Sequence, residues 1–261
     1  MGKERIEAAL QEVLNQGDKA FVPYIMAGDG GLETLESKLI FLQENGATLI
    51  ELGVPFSDPV ADGPTIQAAG LRALSAETTL EKILEQLKAI RNRINVPIVL
   101  MTYINPLLQF GIERVVQEAL EAGVDGFIIP DVPIEEDGII APQLKKAGIA
   151  LIQLVTVTSP MERIGRIVNQ SDGFVYAVTV TGITGARKSL RSSLHQYLES
   201  VRTVSPIPVL AGFGISTPEH VRDTTRYCDG VVVGSKVIEL LQEEKHEELI
   251  SLLKASQKIS Q

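Results

Sequence analysis

The feature that most constrains the fold is an eightfold alternation of short apolar runs with longer amphipathic segments. Each run is rich in Val and Ile and is apolar almost throughout, which is typical of strands covered on both faces of a parallel sheet. Strands of this kind separated by helices indicate repeated βα units. The predicted strands are Phe21–Met26, Thr48–Gly53, Ile98–Tyr103, Gly126–Pro130, Ala150–Val155, Phe174–Val178, Val209–Ala211 and Gly230–Val233.

Helical periodicity fills the intervals between these runs. One predicted helix starts near Leu80, where Thr78 and Glu81 have the spacing of a capping box. A further amphipathic helix, Arg5–Asn15, precedes the first strand. The leucines of a third helix fall on a single face, at Leu32, Leu35, Leu39 and Leu42.

The chain of 261 residues shows no linker, low-complexity tract or shift in composition that would divide it. Residues 1–261 are therefore predicted to form one α/β domain. Eight βα units in one domain close most simply into a (β/α)8 (TIM) barrel, here with an extra N-terminal helix. A doubly wound open sheet is the alternative.

Composition excludes several classes of function. The formal net charge of -9 provides no basic field for nucleic acid or for an anionic membrane surface. Cys228 is the only cysteine, which favours a reducing, cytoplasmic setting. The three histidines have no metal-ligand spacing, so no metal site is predicted. No apolar run is long enough to span a membrane.

Three carboxylates lie in the stretch Leu49–Ala69, one within the second predicted strand and two after it. Glu51 lies within the apolar run itself, where burial would raise its pKa towards neutrality. Asp58 and Asp62 follow in a loop rich in Pro and Gly. Active sites of barrels lie at this end of the strands, so these residues are candidate acids and bases. Glu51 could instead belong to a buried ion pair, and both aspartates could be turn-forming residues.

The last three strands end in glycine-bearing turns that predict a phosphate site. Barrels often bind phosphate with the loops after strands seven and eight. Gly214, Gly234 and Ser235 are the candidate contacts, because backbone N–H groups at a helix N-terminus attract anions. Each glycine could also be simple turn punctuation. The long loop Thr181–Ser193 is predicted to be a lid, with a solvated excursion as the alternative.

Several motifs together resemble the tryptophan synthase alpha chain family over essentially the whole sequence. They are FVPYIMAGDG, IELGVPFSDPVADGPTIQ, YINPLLQFG, IIPDVPIEE, YAVTVTGITGAR, AGFGIS and VVVGSKV. The resemblance implies retro-aldol cleavage of indole-3-glycerol phosphate to indole and glyceraldehyde 3-phosphate. By similarity, Glu51 is the catalytic acid and base, and Asp62 accepts a hydrogen bond from the indole N–H. Thr184 matches a lid threonine that meets this aspartate.

The resemblance also assigns binding residues. Gly185, Gly214, Gly234 and Ser235 match positions that bind phosphate, and Phe21, Tyr103, Tyr176 and Phe213 are expected to line the indole pocket. Val180 is a departure, because some members of the family carry arginine there.

A beta chain is the partner that the family implies, in an alpha2beta2 heterotetramer, and Asp58, Asn105 and Asp131 are expected to face it. No cofactor is expected in this chain, whereas pyridoxal phosphate is expected in the beta partner. Three alternatives stay open: a stand-alone indole-3-glycerol-phosphate lyase, a non-catalytic activating subunit, and an isomerase of a phosphorylated sugar. The last has no reason to need Glu51 together with Asp62.

Overall fold

The computed structural model describes residues 2–179, 187–212 and 214–258, and side chains are described outside 187–192. Eight parallel strands close into a barrel in chain order. The ring is closed by pairing of the first strand with the last, with Ala20 opposite Gly230. The strands are β1 Ala20–Met26, β2 Ile50–Gly53, β3 Ile98–Met101, β4 Gly126–Ile128, β5 Ala150–Thr156, β6 Val175–Val178, β7 Val209–Gly212 and β8 Gly230–Val233. The predicted (β/α)8 barrel is confirmed, and the open-sheet alternative is wrong.

Helices surround the barrel. They are α1 Gly2–Asn15, α2 Leu35–Glu44, α3 Pro64–Ser75, α4 Leu80–Ile90, α5 Ile104–Phe110, α6 Ile112–Glu121, α7 Ala141–Ala147, α8 Met161–Gln170, α9 Arg187–Val204, α10 Pro218–Thr224, α11 Ser235–Gln242 and α12 His246–Leu253. The N-terminal helix starts three residues earlier than expected. Residues 187–193 of the predicted loop Thr181–Ser193 belong to α9, and the remainder of that loop lies outside the described residues. None of the described helices is long and apolar enough to cross a lipid bilayer.

Strand alternation divides the apolar core into two layers. Along β1, Val22, Tyr24 and Met26 belong to a cluster inside the barrel, whereas Phe21 and Ile25 pack outwards against the helices. Successive side chains of a strand point to opposite faces, so both layers are filled by the same strands. Complete burial of one large aliphatic side chain contributes about 1.5–3 kcal/mol. The two layers therefore explain why the strands are apolar almost throughout.

The N-terminal face of the barrel is held by the buried carboxylate of Asp125. Its oxygens lie 3.1 Å from Arg5 Nη1 and 2.8 Å from Arg91 Nη2, and the Ile98 N–H donates to it at 2.8 Å. Arg5 belongs to α1, so this ion-pair network anchors the extra helix below the strands. Breaking such a network leaves a buried charge unpaired, which is strongly destabilising.

The start of α4 differs from the capping-box prediction. Thr79, not Thr78, is the N-cap, and its hydroxyl accepts the Lys82 N–H at 3.3 Å. Thr78 is buried, and a Cβ added to Gly28 would lie 2.1 Å from its hydroxyl oxygen. Because the Thr78 side chain packs closely against this turn, the cap falls one residue later.

Candidate active site

Glu51 occupies an interior position near the C-terminal end of β2. Its neighbours Ile50 and Leu52 pack outwards, so alternation turns the Glu51 carboxyl into the barrel. The residue is 1% exposed, and neither carboxyl oxygen has a hydrogen-bond partner among the described residues. Burial, with a smaller contribution from the charge of Asp62, raises the pKa of Glu51 to about 8. The group therefore carries a proton at neutral pH.

Asp62 lies in the loop that leads from β2 into α3. Burial raises the pKa of Asp62 to about 6, and the Tyr103 hydroxyl opposes part of this shift. The Asp62 backbone is held on both sides, because its N–H donates to Pro59 O at 3.1 Å and its carbonyl accepts from Gln67 Nε2 at 2.9 Å. The two carboxyl groups therefore differ at neutral pH, with Asp62 mostly ionised and Glu51 mostly protonated.

Tyr103 and Arg72 fix the position of this loop. The Ala61 N–H donates to the Tyr103 hydroxyl at 3.0 Å, which holds the residue next to Asp62. Arg72 of α3 forms a two-point ion pair with Asp29, at 2.7 and 2.8 Å. Since α3 begins two residues after Asp62, this pair anchors the loop to the turn after β1.

A cavity of about 240 Å³ opens at the C-terminal end of the barrel. It brings together six of the residues predicted from the sequence, namely Glu51, Asp62, Tyr176, Gly214, Gly234 and Ser235. It also includes residues that the sequence analysis missed, among them Tyr24, Ile66, Met101, Ser216, Lys236 and Glu239. Tyr24 pairs directly with Glu51 across β1 and β2, so strand alternation could have revealed it only in combination with the register of these two strands.

Two glycines make room for the aromatic walls of this cavity. A Cβ on Gly53 would lie 2.0 Å from the Tyr24 hydroxyl, and a Cβ on Gly212 would lie 2.3 Å from Cε1 of Tyr176. Each glycine ends a strand, so the rings pass directly over the strand ends. A larger residue at either place would displace a ring that shapes the site.

The expectation that Phe21 lines the pocket is wrong. Phe21 is fully buried in the layer between the barrel and the helices. Phe21 and Tyr24 are three positions apart in β1, so their side chains point to opposite faces of the strand and the Phe21 ring points away from the cavity. Tyr24 is the aromatic residue of β1 that faces the carboxyl groups. Tyr103, also expected in the pocket, contacts the Asp62 loop as described above.

The predicted phosphate contacts lie at the start of α11 and after β7. Gly234 is the N-cap of α11 and Ser235 is its first residue, so the unpaired N–H groups of this helix end face the cavity. Gly214 has a φ of 75°, a conformation that favours glycine. The arrangement can accept an anion beside the carboxyl groups. Four further sequence-based candidates, Val180, Thr184, Gly185 and Phe213, lie outside the described residues.

The three residues expected to face a partner are exposed on the same end of the barrel. Asp58 accepts a hydrogen bond from its neighbour Ser57 at 2.5 Å. Asp131 accepts the N–H of Ile104, the first residue of α5, at 3.0 and 3.2 Å. Asn105 follows in the same helix. Asp131 therefore also stabilises the start of α5.

The closed barrel and this cavity define a class of protein. Two carboxyl groups with raised pKa values lie beside the N-terminus of a helix, at the end of the barrel where active sites form. The chain is therefore a barrel enzyme built for acid–base chemistry. Among the described residues, no three His, Cys, Asp or Glu side chains come together as a metal site.

Comparison with known proteins identifies the family. Residues 10–261 match the family model described as the tryptophan synthase alpha chain. A tryptophan synthase alpha chain from Bacillus cereus is 57% identical over 256 residues, covering 98% of each chain. The crystal structure of tryptophan synthase subunit alpha from Legionella pneumophila is 32% identical, with a TM-score of 0.89 over 98% of this chain and 99% of that one. Tryptophan synthase from M. tuberculosis in its aminoacrylate-bound form is 28% identical, with a TM-score of 0.87 over 97% and 99%.

The chain belongs to the tryptophan synthase alpha chain family. It is therefore a lyase of tryptophan biosynthesis.

Proposed function

We propose that Glu51 and Asp62 carry out the cleavage of indole-3-glycerol phosphate to indole and glyceraldehyde 3-phosphate. The observation that carries this proposal is the buried carboxyl of Glu51, which faces the same cavity as Asp62 and the N-terminus of α11. An unpaired buried carboxyl is costly to fold, so its presence favours a role in chemistry.

Glu51 is the proton carrier in this proposal. With a pKa raised to about 8, it holds a proton at neutral pH and donates it to C3 of the indole ring. The Glu51 carboxylate then takes the proton of the glycerol hydroxyl. As the carbonyl forms, the bond between the glycerol carbon and C3 breaks, and its electron pair returns to the ring. One proton is given and one is taken, so Glu51 ends the cycle protonated.

Asp62 stabilises the charge that this step creates. Protonation at C3 places positive charge on the indole ring, and an ionised carboxylate that accepts the indole N–H offsets it. With a pKa near 6, Asp62 is ionised under the same conditions in which Glu51 is protonated. Tyr103 and Ala61 support this role, because they hold the loop that carries Asp62.

Binding residues complete the site. The backbone N–H groups at Gly214, Gly234 and Ser235 receive the phosphate, and Gly185 is proposed to join them. Tyr24 and Tyr176 provide aromatic surface for the indole ring, and the thioether of Met101 provides a sulfur contact. Phe213 is proposed to add a further ring, and Thr184 to meet Asp62 when the lid closes.

A beta chain is the proposed partner, in an alpha2beta2 heterotetramer. Asp58, Asn105 and Asp131 are exposed on the active-site end, where a partner could receive indole directly. The cleavage proposed here uses proton transfer and charge stabilisation by this chain, so pyridoxal phosphate is assigned to the beta partner. A cytoplasmic location is proposed as well, because Cys228 is the one cysteine in the sequence.

The test is an indole-release assay on variants of the two carboxyl groups. Glu51→Gln should reduce turnover by at least about 100-fold, the lower range for loss of a general acid–base, while binding of a substrate analogue stays largely unchanged. Asp62→Asn should reduce turnover by about 100-fold. Glu121→Gln, an exposed change on α6, is the matched control and should retain full activity. Full activity of the Glu51 variant would contradict the proposal and favour a non-catalytic or differently catalysed role.

A further inference from the structure

A lysine lies beside the proposed phosphate contacts. Lys236 is the second residue of α11, directly after Ser235, and it lines the same cavity as Gly234. Its ammonium group lies 3.5 Å from a carboxylate oxygen of Glu239, one turn further along the helix. The two side chains are 29% and 43% exposed, so the pair is only partly covered. A partly exposed pair at this distance is weak, and its lysine can change partner.

The negative charge around the cavity indicates a role for the positive charge of Lys236. Asp62 and Glu239 line the cavity beside the protonated Glu51, and the chain as a whole carries a net charge of -9. A phosphate monoester bound there brings further negative charge close to Asp62. Among the described residues that line the cavity, Lys236 is the one side chain that carries a positive charge. The partial charge of the helix N-terminus is only about +0.5, which does not match a dianion.

We propose that Lys236 is a further binding residue, which contacts the phosphate group of the substrate in exchange for Glu239. The inference rests on the proposed function, because it takes the anion to be the phosphate of that substrate. That the cavity is built for a ligand is supported independently by Glu51, whose buried carboxyl faces it without a partner among the described residues. Glu239 holds the Lys236 ammonium group at the cavity when no ligand is bound, and Glu239 competes with the phosphate for that group.

The exchange of Glu239 for a ligand makes the site selective for anionic ligands. A phosphate monoester gains an ion pair with Lys236, whereas a neutral indole ring, which binds at the carboxyl end of the cavity, gains nothing from it. Salt should also weaken phosphate binding, because the pair is partly exposed and is screened. These properties separate an ion-pairing lysine from one that merely supports the helix.

The experiment compares three lysine variants of the full chain by calorimetry, with glycerol 3-phosphate and indole as separate probes. Lys236→Met removes the charge, and Lys236→Arg retains it. Lys245→Met is the matched control, because Lys245 is also paired with a glutamate, Glu243 at 2.8 Å, but does not line the cavity. Thermal melting of each variant checks the fold.

Lys236→Met should raise the Kd of glycerol 3-phosphate about fivefold, the effect of a pair worth about 1 kcal/mol at 1.4 kcal/mol per tenfold. The arginine variant and the Lys245 control should stay within about twofold of the wild type, a change below about 0.5 kcal/mol. Indole binding should be the same in all of them. With indole-3-glycerol phosphate, the loss should appear chiefly in KM.

Removal of the Glu239 carboxylate, which competes with the phosphate for Lys236, should strengthen phosphate binding. Glu239→Gln should lower the Kd of glycerol 3-phosphate by about twofold, and this gain should disappear when Lys236 is also replaced by Met. Unchanged glycerol 3-phosphate binding in Lys236→Met would overturn the proposal, as would equal weakening of both probes. Cleavage of indole-3-glycerol phosphate by the wild type, measured in the same preparation, tests the proposed function separately.

Discussion

The free energy of unfolding of Glu51→Gln should increase relative to that of the wild type as the pH rises, although the variant is inactive. The folded state must keep this buried carboxyl protonated, with a pKa of about 8, whereas the unfolded chain ionises it at the ordinary value of 4.5. Ionisation therefore favours the unfolded chain at every pH above 4.5. Below pH 4.5 the group is protonated in both states and contributes no pH-dependent cost. Glutamine has nearly the same shape and does not ionise.

The magnitude follows from the two pKa values. The difference of about 3.5 pKa units, at 1.36 kcal/mol per unit, destabilises the wild type by about 5 kcal/mol once the pH is well above 8. The same linkage costs about 1 kcal/mol at pH 5 and about 3 kcal/mol at pH 7. A buried amide without a partner has its own cost, but that cost is independent of pH. The change with pH is therefore the quantity to measure.

The assay is urea unfolding of wild type and Glu51→Gln at pH 5, 7 and 8.5, with the free energy of unfolding extrapolated to water. The variant should gain about 2 kcal/mol relative to the wild type between pH 5 and pH 7. Asp58→Asn, which removes an exposed carboxyl from the following loop, is measured alongside as the control. A difference between wild type and Glu51→Gln that does not change with pH would refute the assignment of a raised pKa.

Three other properties can be measured. The kcat/KM of the free enzyme should fall as the pH drops through about 6, where Asp62 loses its charge. It should also fall as the pH rises through about 8, where Glu51 loses its proton. Absence of the acid limb would contradict the role of Asp62, and absence of the alkaline limb that of Glu51. Gly212→Ala should lower stability by about 1–3 kcal/mol in urea unfolding and reduce kcat/KM, because the tyrosine ring over it must move. Gly165→Ala in α8, where an added Cβ has no neighbour within 4 Å, should instead stabilise by about 0.5–1 kcal/mol. Asp125→Ala should cost about 3–5 kcal/mol in the same assay, because it leaves the half-buried Arg91 and the buried Ile98 N–H without their partner, and a cost below about 1 kcal/mol would contradict this.

The barrel could be predicted from the sequence because its strands are buried on both faces. The inner layer at Val22 and Tyr24 and the outer layer at Phe21 and Ile25 together produce the continuous apolar runs. The predicted strand Ile98–Tyr103 is too long, and β3 stops at Met101 because Tyr103 already turns towards the Asp62 loop. Hydrophobicity alone does not distinguish a strand residue from a buried loop residue.

The candidate site was only partly predictable. Glu51 could be found because a carboxylate in an apolar run is unusual, and Gly234 because it precedes a helix at the last strand. The same continuous apolar character hides which residues point inwards, and the sequence therefore does not distinguish Phe21 from Tyr24. Glu51 points into the barrel, but this identifies Tyr24 as the inward-facing residue of β1 only once the register of β1 against β2 is known. Lys236 follows the predicted contact Ser235 directly, but the sequence does not show that its side chain lines the cavity next to Glu239.

The role of this chain is tested by the release of both products from indole-3-glycerol phosphate. Indole and glyceraldehyde 3-phosphate are measured together, for the purified wild type and for Glu51→Gln, with and without a beta chain. The wild type should release the two products in equal amounts, slowly alone and faster with the beta chain, and Glu51→Gln should release neither. Failure of the wild type to release indole under both conditions, or undiminished release by the variant, would contradict the account.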